Sequence, residues 1–301
     1  MEGHAVPTRR LLYISLLALL ALAVAAPPAG AADPPPASAW DRPALTNPIT
    51  KVIDAQHTSL VLDTTRDYVI TLGATANALP KGVSIWGGHN VVIDGGTINV
   101  TSASGGLTLK NQTGTMWIQN LHIAGPQLME GIDLDQRQPN ATVVLRGVLI
   151  DIVHGSYSTN HADVIQTWAG PSRLLIDGLT ASTTYQGFFL LPRQQWSSGP
   201  WPKVFDFRHV DIDAQQGGYA LWRDGGNPYP QYVQDVYVTP NPAKPSRDSW
   251  LWPKPSTGDV SWVDVVGAPA LGGSFVVATP TGAAARADLL PPVPLAGEEV
   301  L

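Results

Sequence analysis

The sequence predicts an all-β chain folded as a single-stranded, right-handed parallel β-helix of about seven turns. Three observations predict it. A short strand pattern recurs through the middle of the chain at intervals of 25 to 31 residues. A second, glycine-led strand precedes several of its copies. Glycine (29) and proline (27) are abundant while charged residues make up only 14% of the 301, a balance that suits turn-rich β structure over long helices.

The elements follow in chain order. Arg9 and Arg10 precede an apolar run from Leu11 to Ala26 and the small-residue site Ala29-Gly30-Ala31, the layout of a cleavable signal peptide over residues 1–31. Sixteen apolar residues are short for a bilayer span of about 20, so no stable membrane insertion is expected after export. Residues 32–45 are Pro/Ala-rich and read as a linker, residues 46–278 as the β-helix domain, and residues 279–301 as a loose tail.

Within the domain, Ile118-Gln119-Asn120-Leu121-His122-Ile123 sets the pattern: apolar, variable, Asn/Gly/Asp, aliphatic, variable, aliphatic. Copies start at Ile93, Leu145, Ile176, Phe207 and Val233, and a weaker one at Val260. The glycine-led strands begin at Gly82, Gly106, Gly131 and Gly187. Two short strands per turn bury little alone, but turns stacked about 4.8 Å apart bury a continuous interior column. A β-sandwich or propeller is the competing architecture, yet Asp94-Gly95 and Asp177-Gly178 fall inside the repeated pattern and not between strands as hairpin turns. Ile49 to Ile70 is expected to cap the first turn.

Several function classes are excluded or disfavoured. Eighteen basic against 24 acidic side chains give −6, and loss of residues 1–31 leaves −7, so no nucleic-acid partner is expected. The absence of cysteine rules out disulfides, thiolate metal sites and a cysteine nucleophile. The histidines lack the close spacing of a zinc pair. No organic cofactor is expected, and the rod is read as a monomer.

Gly88-His89-Asn90-Val91-Val92-Ile93-Asp94-Gly95-Gly96-Thr97-Ile98 resembles the early turn of the pectin-lyase-like β-helix superfamily, which includes pectate lyases and polygalacturonases. His161-Ala162-Asp163-Val164-Ile165-Gln166, followed by Tyr185-Gln186-Gly187-Phe188-Phe189, is similar to a turn common in its secreted members. The resemblance spans about residues 46–265 and implies a secreted or periplasmic protein acting on, or binding, a polysaccharide. It does not carry over a catalytic set. The chain lacks Trp-Val-Asp-His, Arg-x-Pro-x-x-Arg, Asn-Thr-Asp, Asp-Asp and Gly-His-Gly, so chemistry has to be argued from the residues present.

Stacking brings residues about 25 to 30 apart into contact across successive turns. Asp133 and Asp135 alternate around Leu134 on one strand face, and the next turn brings His161 and Asp163. Arg193 and Arg223 follow on the two turns after that if the glycine-led strands are in register. Asp133, Asp135 and Asp163 are therefore the candidate ligands of a Ca2+ ion, whose charge would relieve carboxylate repulsion. In a lyase acting by β-elimination on an acidic polysaccharide such as pectin, His161 or Arg193 would serve as the base beside Asp163. Arg223, Trp222, Gln166 and Tyr185 would contact the sugars, with Trp196, Trp201, Tyr229 and Tyr232 in neighbouring loops. In a glycoside hydrolase, Asp133 or Asp135 would pair with Asp163. A non-catalytic glycan-binding or adhesive β-helix is the third reading, in which His161 and Asp163 close a turn and Gln166 joins a buried amide ladder.

Overall fold

The computed structural model describes residues 35–194, 199–271 and 275–276. The expected signal peptide, the first residues of the linker, Trp196 and the expected tail lie outside them. The chain opens with β1 (Ile49–Ile53), β2 (Ser59–Leu62), β3 (Tyr68–Leu72) and β4 (Val83–Gly87). It continues through β5 (Val91–Asn99), β6 (Ser104–Lys110), β7 (Thr115–Ala124), β8 (Leu128–Asp135) and β9 (Thr142–Val153). Then come β10 (Asp163–Ala169), β11 (Arg173–Thr183), β12 (Gln186–Leu190) and β13 (Val204–Ala214). The last are β14 (Leu221–Arg223), β15 (Gln231–Thr239) and β16 (Leu251–Trp252).

Odd-numbered strands form one eight-stranded sheet and even-numbered strands a second, each strand pairing in parallel with the strand two places on. The sandwich alternative is thereby overturned, because every pairing between these strands is parallel and none is a hairpin. Ile49 to Ile70, expected as a cap, supplies the first strands of both sheets. No helix among the described residues is long and apolar enough to cross a membrane.

The repeat read from the sequence is the register of the odd sheet. Ile93, Ile118, Leu145, Ile176, Phe207 and Val233 lie opposite one another in turn. The first five are fully buried and form one column of the core. Val83, Leu107 and Ile132 are likewise aligned on the even sheet. The third position of the repeat has a single physical cause: Gly95 (φ 79°), Asn120 (53°), Gly147 (58°), Gly178 (79°), His209 (51°) and Asp235 (51°) all adopt the left-handed conformation that bends each strand. Glycine takes it without a Cβ penalty, and Asn or Asp at modest cost. His209 is held there by a 2.7 Å contact between its Nδ1 and Asp177 Oδ1.

The weak copy at Val260 is not a strand. Its residues form a turn, and Trp262 instead buries its ring against Phe207, with its indole N–H donating to the Trp252 carbonyl at 2.8 Å. A large flat ring there covers the end of the apolar column, which explains why the aliphatic repeat stops.

Two further features follow from the stacking. Gln112 and Gln136, fully buried on adjacent turns, satisfy each other: the Gln136 amide donates to Gln112 Oε1, and the Gln112 backbone N–H donates to Gln136 Oε1 at 3.0 Å. Residues 35–45, the described part of the expected linker, run along the outside of the odd sheet. There Ala39, Trp40 and Leu45 pack on an apolar stripe of Val92, Trp117, Val144, Leu175 and Val204.

Candidate functional site

The sheet register places a polar-to-aromatic column on the even sheet. Ser84, Thr108, Asp133, Gln166, Phe189, Trp222 and Trp252 lie opposite one another on consecutive strands. Their neighbours Ile85, Leu109, Leu134, Phe188 and Leu221 are inside the core, so strand alternation sends this column outward.

Three carboxyl groups meet at the middle of that sheet. Asp133 sits on β8, Glu130 lies three residues before it, and Asp163 opens β10 on the next turn. The Glu130 carboxylate accepts the backbone N–H of Asp163 at 2.8 Å. Asp163 is 1% exposed, and neither of its carboxylate oxygens has a hydrogen-bond partner among the described residues; the same holds for Asp133 Oδ1. Opposite them on β6 is Gly105, where a side chain would come within 3.5 Å of the Glu130 Cβ. Glycine at that position leaves the carboxyl group uncovered on that side.

The electrostatics of this cluster are those of acids that cannot all ionise together. Burial, reinforced by the Asp133 charge, pushes Glu130 up to about 9 against the pull of its hydrogen bond from Asp163. Burial raises Asp133 to about 6, opposed by a hydrogen bond from the Trp168 side chain and the charge of Lys110. Asp163 is lifted well above the ordinary carboxylate range by burial and by Glu130 and Asp133. Around neutral pH the cluster therefore holds protonated and ionised carboxyl groups side by side, the condition for a general acid working next to a general base.

An aromatic wall flanks Asp163. The His161 ring lies 5.5 Å from that of Tyr157, stacked, and 5.3 Å from that of Tyr185, tilted. His161 Nε2 is 3.1 Å from the Tyr157 carbonyl, so that nitrogen carries the proton and donates. The Tyr185 hydroxyl titrates above its usual value because of burial and then the Asp163 charge.

Of the residues singled out in the sequence, the structure brings together Asp133, Asp163, Gln166, His161 and Tyr185. Gln166 pairs with Asp133 across the strands and is only 8% exposed. It lies on the outward column, while the buried amide pair expected there is made by Gln112 and Gln136. Asp135 turns to cations instead of to Asp163, with Arg137 Nε at 2.8 Å and Lys110 at 3.9 Å. Arg193 bridges to Ala169, the far end of β10 from Asp163 and about 20 Å along the strand, and its guanidinium lies over the Trp201 ring. Arg223 is buried, donating to the Tyr229 carbonyl at 2.9 Å and stacked on that ring. Trp222 stays on the outward column, three strands from Asp133.

Asp133, Asp135 and Asp163 thus do not gather as one donor set. Among the described residues no group of three or more His, Asp or Glu side chains is arranged to hold a metal ion. Glu130 was missed by sequence reasoning, although a signal was present. Aligning the glycine-led strands places the residue before each glycine at equivalent positions, Gly105 opposite Glu130 and Asp163 opposite Gln186. No protein-family model, curated protein or solved structure matches the chain.

Proposed function

We propose that this chain is an exported, right-handed parallel β-helix that cleaves a polysaccharide by acid–base catalysis at Glu130, Asp133 and Asp163. The handedness rests on the general rule that crossovers between parallel strands of one sheet are right-handed in about 98% of cases. The observation that carries the catalytic reading is the meeting of three carboxyl groups, Asp133 on the outward column with Glu130 and the buried Asp163 beside it, with both oxygens of Asp163 unpartnered. Glycosidic bond hydrolysis needs a carboxylic acid to protonate the leaving oxygen and a carboxylate to activate water or attack the sugar.

The electrostatics distribute the roles. Asp163, raised by burial and then by Glu130 and Asp133, and unpartnered at both oxygens, is the general acid. Asp133, kept partly ionised near neutrality by the Trp168 hydrogen bond and Lys110, is the base or nucleophile. Glu130 stays protonated and fixes the backbone at Asp163. Gln166 and Tyr185 line the same surface and supply hydrogen bonds to sugar hydroxyls.

A second reading, β-elimination on an acidic polysaccharide with His161 as base, is favoured by the position of that imidazole between Tyr157 and Tyr185 beside Asp163. A panel of neutral and acidic polysaccharides separates the two. New reducing ends without absorbance from an unsaturated product support hydrolysis. Unsaturated product that disappears in His161→Ala supports elimination. Retained binding with no cleavage of any polymer leaves a glycan-binding protein.

A further inference from the structure

Along the outward column of the even sheet, two strands beyond Asp163 and on the C-terminal side, a groove of about 460 Å³ opens between Trp222 and Trp252. The two indoles pack edge to face, 6.3 Å apart, and Phe189 and Tyr219 brace Trp222 at 4.9 and 5.4 Å. Leu191, Pro253 and Gly225 complete the apolar part, and Asp224 and Lys254 stand at its rim. Trp222 and Trp252 are each partly exposed and both line the groove, held in place by their aromatic neighbours.

From these observations we infer that this groove is a remote sugar-binding subsite, which holds one pyranose of the polymer and sets how long a chain must be to be processed well. The inference rests on the glycan reading above. Its chemistry is distinct: a pyranose presents apolar C–H faces ringed by hydroxyls, and the groove presents aromatic faces ringed by a carboxylate and an amine. Asp224 is preorganised for this, since its Oδ1 accepts the backbone N–H groups of Gly226 and Asn227 at 3.0 and 3.1 Å, which fixes the carboxylate at the rim.

Position completes the case. Strands stack about 4.8 Å apart, so along the column Trp222 lies about 14 Å and Trp252 about 19 Å from Asp133. That is close to the rise of about three to four linked sugars in an extended chain, laid strand by strand over Gln166 and Phe189. A polymer lying along this column would place a bond over Asp133, beside Asp163, and a ring in the groove at once.

The test uses calorimetric titration of the full-length Asp163→Asn protein with cellohexaose, xylohexaose, mannohexaose and hexagalacturonate, each compared with its disaccharide. At least one hexasaccharide is expected to bind. Trp222→Ala in that background weakens it about tenfold and leaves the disaccharide unchanged. Thr257→Arg, an exposed position on the groove rim whose new side chain fills the opening without touching the core, is expected to do the same. Hexasaccharide binding that survives both substitutions, or the absence of binding by all four, overturns the inference. Its failure is separable from failure of the catalytic reading. Cleavage lost in Asp163→Asn but unaltered by Trp222→Ala removes the groove alone, whereas Trp222-dependent binding by a protein that cleaves nothing removes the catalysis alone.

Discussion

Glu130 reaches across one turn to accept the backbone N–H of Asp163 at 2.8 Å, which ties the start of β8 to the first residue of β10. The pairing explains how a half-buried glutamate and a buried aspartate tolerate each other: both hold their protons, Glu130 anchoring the strand through its accepting oxygen and Asp163 leaving its carboxyl group without a partner. Asp163→Asn preserves the shape and removes the proton donor, so polysaccharide cleavage should fall by about 10² to 10⁴-fold with the circular dichroism spectrum unchanged. Glu130→Gln keeps the amide-accepting oxygen and should cost less activity than Asp163→Asn. Equal losses for the two would place Glu130 among the reacting groups.

The same cluster makes stability depend on pH in a defined direction. Glu130 binds its proton up to about 9 in the folded protein against an ordinary 4.5, and Asp133 up to about 6 against 3.8. Across those windows the folded state holds protons that the unfolded chain has released, so the free energy of unfolding falls as pH rises. Thermal midpoints should be highest in mild acid and decline toward pH 9. Glu130→Gln, which cannot ionise, should flatten the decline between about 6 and 9. A midpoint that climbs through that interval in the parent protein contradicts the protonated assignment of Glu130.

Much of the fold was legible because its cause is periodic. Ile118, Leu145 and Ile176 are opposite one another in space since each turn must return an aliphatic side chain to the same interior column. The Asn120 and Gly147 positions were visible for the complementary reason that few residues tolerate a left-handed bend. Asp133 and Asp163 were found by the same stacking logic. Arg193 was misplaced relative to them because it lies in the long connection after β12, which has no periodicity to count along, and Arg223 because it pairs with Leu190 at an inward position of β14. Trp262 defeated the pattern outright, since a residue that plugs the end of a column looks in sequence like one more member of it.

The amide pair offers a sharper test of the interior. Gln112 Nε2 donates to the carbonyls of Ile85 and Gly87 at 3.1 and 2.9 Å while its Oε1 receives the Gln136 amide. Gln136→Leu strands Gln112 Oε1 and its backbone N–H in the core, which should cost about 1–3 kcal/mol in urea unfolding. Gln112→Leu leaves two backbone carbonyls and Gln136 short of partners and should cost at least as much. A neutral result for either single change would mean that water enters this part of the core.

The bend column predicts an unusual rank order of substitutions. Asn120 has φ 53° within an otherwise regular strand. Replacement by Gly should be nearly neutral, because lost steric strain offsets added chain entropy. Replacement by Val, an excellent strand residue elsewhere, should destabilise by about 1–3 kcal/mol, because a β-branched side chain is strained at positive φ. Denaturant midpoints of the two variants decide it, and a Val variant as stable as the Gly variant would show that the strand straightens.

The segment before β1 is held by packing more than by charge, and the two contributions are separable at adjacent groups. Arg42 donates to Asp94 at 3.0 Å and lies over the Trp117 ring, but both members of the ion pair are more than two-fifths exposed, so Arg42→Ala should cost no more than about 1 kcal/mol. Trp117 is 3% exposed beneath the segment, in a small cluster with Val92, Val144 and Leu175. Trp117→Ala should cost about 3–5 kcal/mol, since removing the ring leaves a cavity that a β-sheet surface cannot close. Hydrogen exchange over residues 37–45 provides the second readout. It should accelerate in Trp117→Ala while β7 and β9 remain protected, whereas in Arg42→Ala the exchange should stay close to that of the parent. Faster exchange in both variants to the same degree would transfer the hold on this segment from the apolar stripe to the guanidinium.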